Sequence, residues 1–223
     1  MNKATLDNQL IEAVRNNGDL KQIQELVEMG ADVNCQDAEG WTPLIMAASN
    51  GYKETCGFLL SRGADINYIG PKGWTALLSC SRYWQGELFM YLVEQGADIN
   101  TSAEGMTPLF LESMPFFTPE HLENCKYLIS KGANVNEKSP QGETALMNAA
   151  LNGNRALCEL LIINGAGINI VDDNGYTAVI EASINGHDDV RDYLISKGAR
   201  YNPDECLKKM MESGCSACKC RDE

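Results

Sequence analysis

The chain has 223 residues, of which 31 are acidic and 18 basic, giving a formal net charge of −13, and 44% of it is hydrophobic. That is enough apolar material for a sizeable core and argues against wholesale disorder. An isoelectric point near 4.6 disfavours nucleic acid, whose phosphates call for clustered Lys and Arg, and leaves basic proteins or peptides as partners.

No apolar run approaches the roughly 18 residues of a membrane span, and the opening Met1–Asp7 is not followed by the apolar stretch of a secretory leader. Nine cysteines, an odd number without a leader, fit a reducing cytoplasm better than a secreted disulfide framework. Cytoplasmic residence is therefore expected.

In chain order, Asp7 to Asn17 and Asp19 to Met29 read as a first helix pair. A motif then begins to recur: Gly30-Ala-Asp-Val-Asn34, Gly63-Ala-Asp-Ile-Asn67, Gly96-Ala-Asp-Ile-Asn100, Gly132-Ala-Asn-Val-Asn136, Gly165-Ala-Gly-Ile-Asn169 and Gly198-Ala-Arg-Tyr-Asn202. The glycines are 33, 33, 36, 33 and 33 residues apart. A second motif keeps phase with it, at Thr42-Pro-Leu44, Thr75-Ala-Leu77, Thr107-Pro-Leu109, Thr144-Ala-Leu146 and Thr177-Ala-Val179. Two motifs in phase over this distance mark a repeat protein.

Each period has a physical reading. Thr at a helix entrance caps free backbone N–H groups, and Pro43 or Pro108 in the first turn loses no hydrogen bond. Apolar residues follow at helical spacing, a breaker such as Asn50-Gly51 or Asn152-Gly153 ends that helix, and a second amphipathic helix runs to the next Gly-Ala. The glycine supplies a left-handed C-terminal cap, and the following turn-rich stretch forms a hairpin-like loop. One such pair cannot bury its apolar face alone, so neighbours must stack.

The fourth period is irregular. It runs 25 residues from Thr107 to Gly132 where the others run 21, with the extra residues at Ser113-Met-Pro-Phe-Phe-Thr-Pro119. Thr118 followed by Pro119 and Glu120 signals that the second helix restarts there. After Asn202, Pro203 to Glu212 reads as a final capping helix.

On these residues the sequence resembles the ankyrin-repeat family. The signature is Asp37-Ala-Glu-Gly40-Trp-Thr-Pro-Leu44 with Ala47-Ala48, Gly51, Leu59-Leu60 and Gly63-Ala-Asp-Ile-Asn67. The resemblance implies an all-α ankyrin-repeat solenoid over residues 1–212. Its repeats fall near 5–36, 37–69, 70–101, 102–138, 139–171 and 172–202, with a capping helix at 203–212 and a Cys-rich tail at 213–223. The family usually has His directly after Thr-Pro-Leu, whereas Ile45, Leu78, Phe110, Met147 and Ile180 stand here. Cohesion between repeats is therefore expected to lean on apolar packing.

The resemblance also implies where a partner docks. The residue before each repeated Thr, here Trp41, Trp74, Met106, Glu143 and Tyr176, projects onto a concave recognition surface in ankyrin-like proteins. The ends of the first helices face the same groove and bring Arg82, Tyr83 and Trp84, while Phe116 and Phe117 of the insertion adjoin it. Trp, Tyr and Arg dominate binding hot spots. The expected partner-binding residues are thus Trp41, Trp74, Arg82, Tyr83, Trp84, Met106, Phe116, Phe117 and Tyr176, edged by Glu39, Glu104, Glu112, Asp172, Asp173 and Glu181.

Catalysis finds little support. His187 occupies a structural place of the family, His121 is expected to be exposed in a first turn, and no nucleophile elbow, paired-histidine zinc motif or phosphate loop is present. The expected function is a non-catalytic protein-interaction module that binds a protein or basic peptide. A metal- or redox-responsive regulator, or an inhibitor of a partner enzyme, is the alternative. Cys206, Cys215, Cys218 and Cys220 are the candidate metal ligands, enough thiolates for tetrahedral zinc, with no other cofactor expected. Cys56, Cys125 and Cys158 share one place in three second helices and read as small core residues.

Overall fold

The computed structural model describes residues 2–16, 19–83, 86–114 and 119–213. The chain divides into two compact units, Met1–Leu111 and Glu112–Glu223. The division falls in the fourth repeat, beside the insertion.

The first unit opens with α1 (Lys3–Asn16), which buries Leu6, Leu10, Ile11, Ala13 and Val14, and α2 (Leu20–Glu28), which buries Ile23 and Leu26. These form the expected N-terminal helix pair. Two repeats of paired helices follow: α3 (Pro43–Ser49) with α4 (Lys53–Ser61), then α5 (Ala76–Arg82) with α6 (Gly86–Glu94). α7 (Pro108–Glu112) spans the division between the units. The second unit continues with α8 (Pro119–Ser130), α9 (Ala145–Leu151) with α10 (Arg155–Ile163), and α11 (Ala178–Ile184) with α12 (Asp188–Ser196). It closes on α13 (Pro203–Ser213), the expected cap. The helix restart at Pro119 is as expected.

The helices start where the threonines put them. The Oγ1 atoms of Thr42, Thr75, Thr107, Thr144 and Thr177 accept from the backbone N–H groups three residues on, at 3.3–3.5 Å. Those donors belong to Ile45, Leu78, Phe110, Met147 and Ile180, whose side chains stay free to enter the core, where all five are buried. Second helices end on a left-handed cap: Gly63 has φ +88, its N–H reaches the Leu60 carbonyl and the Ala64 N–H the Leu59 carbonyl, both at 3.0 Å. These are the paired bonds of a Schellman motif.

Apolar packing is not the whole of inter-repeat cohesion, which corrects the expectation above. In the first unit the Asn34 amide donates to the Gly63 carbonyl at 3.0 Å, while its oxygen accepts the Asp65 N–H at 2.8 Å. Asn67 does the same to Gly96 and Asp98 at 3.2 and 2.8 Å. In the second unit Asn136 clasps Gly165 and Gly167, and Asn169 clasps Gly198 and Arg200. At these four positions the last residue of the Gly-Ala-x-x-Asn motif thus satisfies the capping turn of the next repeat. His187 adds a further link, its Nε2 lying 3.0 Å from the Leu151 carbonyl.

The Asn67→Ala variant should lose about 1–2 kcal/mol, because two exposed hydrogen bonds go and water replaces them only in part. Guanidinium unfolding should show a lower midpoint at an unchanged slope. Asn67→Asp, which keeps the acceptor and loses the donor, should fall between. A midpoint equal to that of the parent would refute the ladder's role.

Of the five cysteines scattered through the body of the chain, Cys56, Cys80, Cys125 and Cys158 are fully buried and Cys35 is half-buried. Burial pushes the Cys56 and Cys158 thiols up to about 12 and raises that of Cys125 as well. The four buried thiols pack as small apolar groups, and Cys56, Cys125 and Cys158 stay protonated. His121 is 7% exposed, so it belongs to the interior of the second unit and not to the surface where its first-turn position suggested.

Candidate partner-binding groove

The residue before each repeated Thr is held by a small backbone clasp. At Trp41, the Asp37 carboxylate accepts the N–H groups of Glu39 and Trp41 at 2.9 Å each, and the Asp37 N–H donates to the Trp41 carbonyl at 3.0 Å. Asp172 holds Tyr176 in the same way, and the Ser139 hydroxyl stands in for the carboxylate at Glu143. At Trp74 the clasp is backbone alone, with the Gly70 N–H donating to the Trp74 carbonyl at 2.8 Å around the Pro71–Gly73 3-10 turn.

Gly70 has an ordinary φ of −79, so the reason for its glycine is space. A Cβ there would stand 2.9 Å from Ile45 Cδ1, 3.0 Å from the Trp74 carbonyl oxygen and 3.7 Å from the Trp41 ring. Trp41 therefore leans on the next hairpin as well as facing the groove, and its Nε1 donates to Glu39 at 3.2 Å.

These elements enclose a groove of about 700 Å³ in the first unit. Trp41, Trp74, Arg82 and Tyr83 all line it, over a floor that includes Ile45 and Met46. Both tryptophans are half-buried, and Tyr83 is 61% exposed. Arg82 and Tyr83 come from the end of α5, which stops just where the concave side opens.

Arg15, Asp37, Lys72 and Glu104 also line the groove, and of these only Glu104 was anticipated. Arg15 reaches from α1 to the Asp37 carboxylate at 2.6 Å, and Lys72 pairs with Glu104 at 3.0 Å. The rim is thus mixed in charge, not simply acidic. Arg15 and Asp37 are 22 positions apart in sequence, a pairing that no local pattern announces.

The other expected residues fall elsewhere. Met106 is half-buried in the isolated bridge to Ala103 and does not line this groove. In the second unit, Lys209 of α13 stands over the Tyr176 ring at 4.8 Å and donates to the Asn174 carbonyl, so the cap already occupies one face of Tyr176. Trp84, Phe116 and Phe117 lie outside the described residues, as do Cys215, Cys218 and Cys220. Cys206 is buried in α13 at 3% exposure. Among the described residues no three His, Cys, Asp or Glu side chains gather as a metal site, and no helix is long and apolar enough to cross a membrane.

Glu112 was expected on the acidic edge, yet it is 2% exposed and accepts from Asn124 Nδ2 at 3.0 Å inside the second unit. Acidic crowding is real at Glu181 of that unit. Burial first, then the charges of Asp172 and Glu143, push its carboxyl up from 4.5 to about 7.

Comparison with known proteins agrees with this architecture. The family model described as ankyrin repeats (3 copies) matches residues 10–111 and 117–205. Mouse 2-5A-dependent ribonuclease is 46% identical over 55 residues, 24% of this chain and 7% of the relative. Human protein phosphatase 1 regulatory subunit 27 is 46% identical over 43 residues, 19% of this chain and 28% of the relative. The chain therefore spans only a small part of these curated relatives. A solved complex of a predatory endopeptidase from Bdellovibrio bacteriovorus with an immunity protein contains a chain 28% identical, at a TM-score of 0.74, over 85% of this chain and 97% of that one.

Proposed function

The chain belongs to the ankyrin-repeat family, whose members bind other proteins, and from that premise we propose that it acts as a non-catalytic module docking a protein partner in the groove of its first unit. The observation that carries this is the convergence of Trp41, Trp74, Arg82 and Tyr83, from two consecutive repeats, on one open groove. Large amphipathic rings left partly exposed on a rigid scaffold are what hot spots are made of. Each is presented by a clasp or a helix end that is complete without a ligand, so little ordering cost falls on binding.

A narrower reading makes the partner an enzyme that the module holds inactive. The likeness to the complex of an endopeptidase with an immunity protein supports it, since that likeness spans most of both chains. Residence in the cytoplasm, and zinc or redox chemistry at Cys206, Cys215, Cys218 and Cys220, remain proposals from the sequence. Metal analysis of protein purified under reducing conditions tests the latter, with one zinc per chain as the supporting result.

The test of docking is capture from the native host by the intact chain and by its Trp74→Ala variant, followed by calorimetry on the partner that differs. Trp74 is half-buried and its ring is not part of the fully buried core, so stability should change by under ~1 kcal/mol. Affinity should fall by ~2 kcal/mol or more, the size of a hot spot. A large stability loss with unchanged affinity would make the ring a packing residue and sink the docking site.

A further inference from the structure

The groove's own hydrogen bonds decide what it can offer a partner. Its carboxylates are already engaged by the chain: Asp37 by Arg15 and two backbone N–H groups, Glu104 by Lys72, and Glu39 by the Trp41 indole. Two polar side chains beside them are also turned inward, Ser49 and Asn50 both donating to the Met46 carbonyl at 2.9 Å. Arg82 is different. It is exposed, lines the groove, and has no ion pair among the described residues. The Trp74 indole N–H and the Tyr83 hydroxyl are likewise without a side-chain partner there.

What remains for a ligand around the aromatic wall is two donor-only groups, a guanidinium and an indole N–H, with a phenol that both donates and accepts. Indole donates only, and guanidinium has no acceptor atom. A lysine or arginine brought into this groove would meet Arg82, and the carboxylates it could pair with already hold Arg15, Lys72 or the Trp41 indole. A carboxylate would find the planar guanidinium free for a two-point bond, the strongest of the charge-assisted kind.

We propose, building on the docking reading above, that the groove recognises an acidic protein segment, with an Asp or Glu seated on Arg82 beside an aromatic or aliphatic residue stacked against Trp74 and Tyr83. The net charge of −13 does not prevent this. Repulsion between exposed charges is screened beyond about 8 Å at physiological salt, whereas a pair in contact inside a groove is screened much less. The negative field instead slows encounter, so association should speed up with added salt, the opposite of a basic ligand.

The probe is a yeast-displayed library of random peptides sorted on the full-length chain, with selected peptides then measured in solution. Enriched sequences should carry Asp or Glu next to Trp, Phe or Leu. The Arg82→Glu variant should bind them at least about tenfold more weakly and should itself enrich Lys- or Arg-bearing peptides, since reversing a charge in contact reverses the preference. The association rate of the acidic peptides should rise with salt. Basic peptides enriched on the parent chain and weakened by Trp74→Ala would overturn the acidic preference while leaving the docking reading standing. Peptides indifferent to Trp74→Ala, or no enrichment at all, would overturn both.

Discussion

The Gly153→Ala variant is expected to lose about 3 kcal/mol of stability, the sum of three separable costs. Gly153 sits at φ +66, a left-handed conformation that any L side chain resists. A Cβ built there would lie 2.5 Å from His187 Nδ1 and 2.8 Å from two further ring atoms. The imidazole would have to move, and with it goes the 3.0 Å bond from Nε2 to the Leu151 carbonyl. In a His187→Ala background only the backbone strain remains, so the same substitution should cost about 1 kcal/mol. Chemical unfolding of the four proteins of this cycle would reveal a coupling of more than about 1 kcal/mol between the two sites. Additive losses would show that the ring does not rest on the glycine.

That pair shows which parts of the molecule can be read from the sequence. The period, the threonine caps, the closing glycines and the helix restart at Pro119 are local, each settled by a few neighbouring residues, and each stands where the sequence places it. The hairpin clasp that aims Trp41 is local too, since Asp37 bonds within its own turn. Interactions between repeats are not legible in this way. The asparagines of the Gly-Ala-x-x-Asn motif look like turn residues, and for Asn34, Asn67, Asn136 and Asn169 the real partners lie 29 and 31 positions on. Only stacking brings them together.

The same reason explains the rim of the groove. Counting charges suggests an acidic surface, but Asp37 and Glu104 are matched by Arg15 and Lys72 from other repeats. Helical position also misjudged burial near the insertion, where His121 and Glu112 face inward. A regular repeat would place these residues by its period. The insertion offsets the helix that follows, so the period stops being a guide at His121, while Glu112 is covered by Asn124 of that helix.

The interior of that irregular repeat carries the other large expected effect. Glu112 and Asn124 are 2% and 5% exposed, and the Asn124 amide donates to the Glu112 carboxylate at 3.0 Å. Ser113, 1% exposed, accepts from Asn148 at 3.3 Å close by. A buried carboxyl group depends on every partner it has, because each replaces water it gave up on folding. Asn124→Ala should therefore cost about 2–3 kcal/mol, the upper part of the range for leaving a buried polar group without its partner. Asn148→Ala removes a longer bond between neutral groups from a half-buried position and should cost about 1 kcal/mol. Guanidinium unfolding of both variants gives the comparison, with ultraviolet circular dichroism to show that the helices persist. Equal losses would mean that the Glu112 pair contributes no more than an ordinary neutral contact. A loss at Asn124 several times that at Asn148 would make the carboxylate the anchor that lets the repeat carry its insertion without unravelling α8.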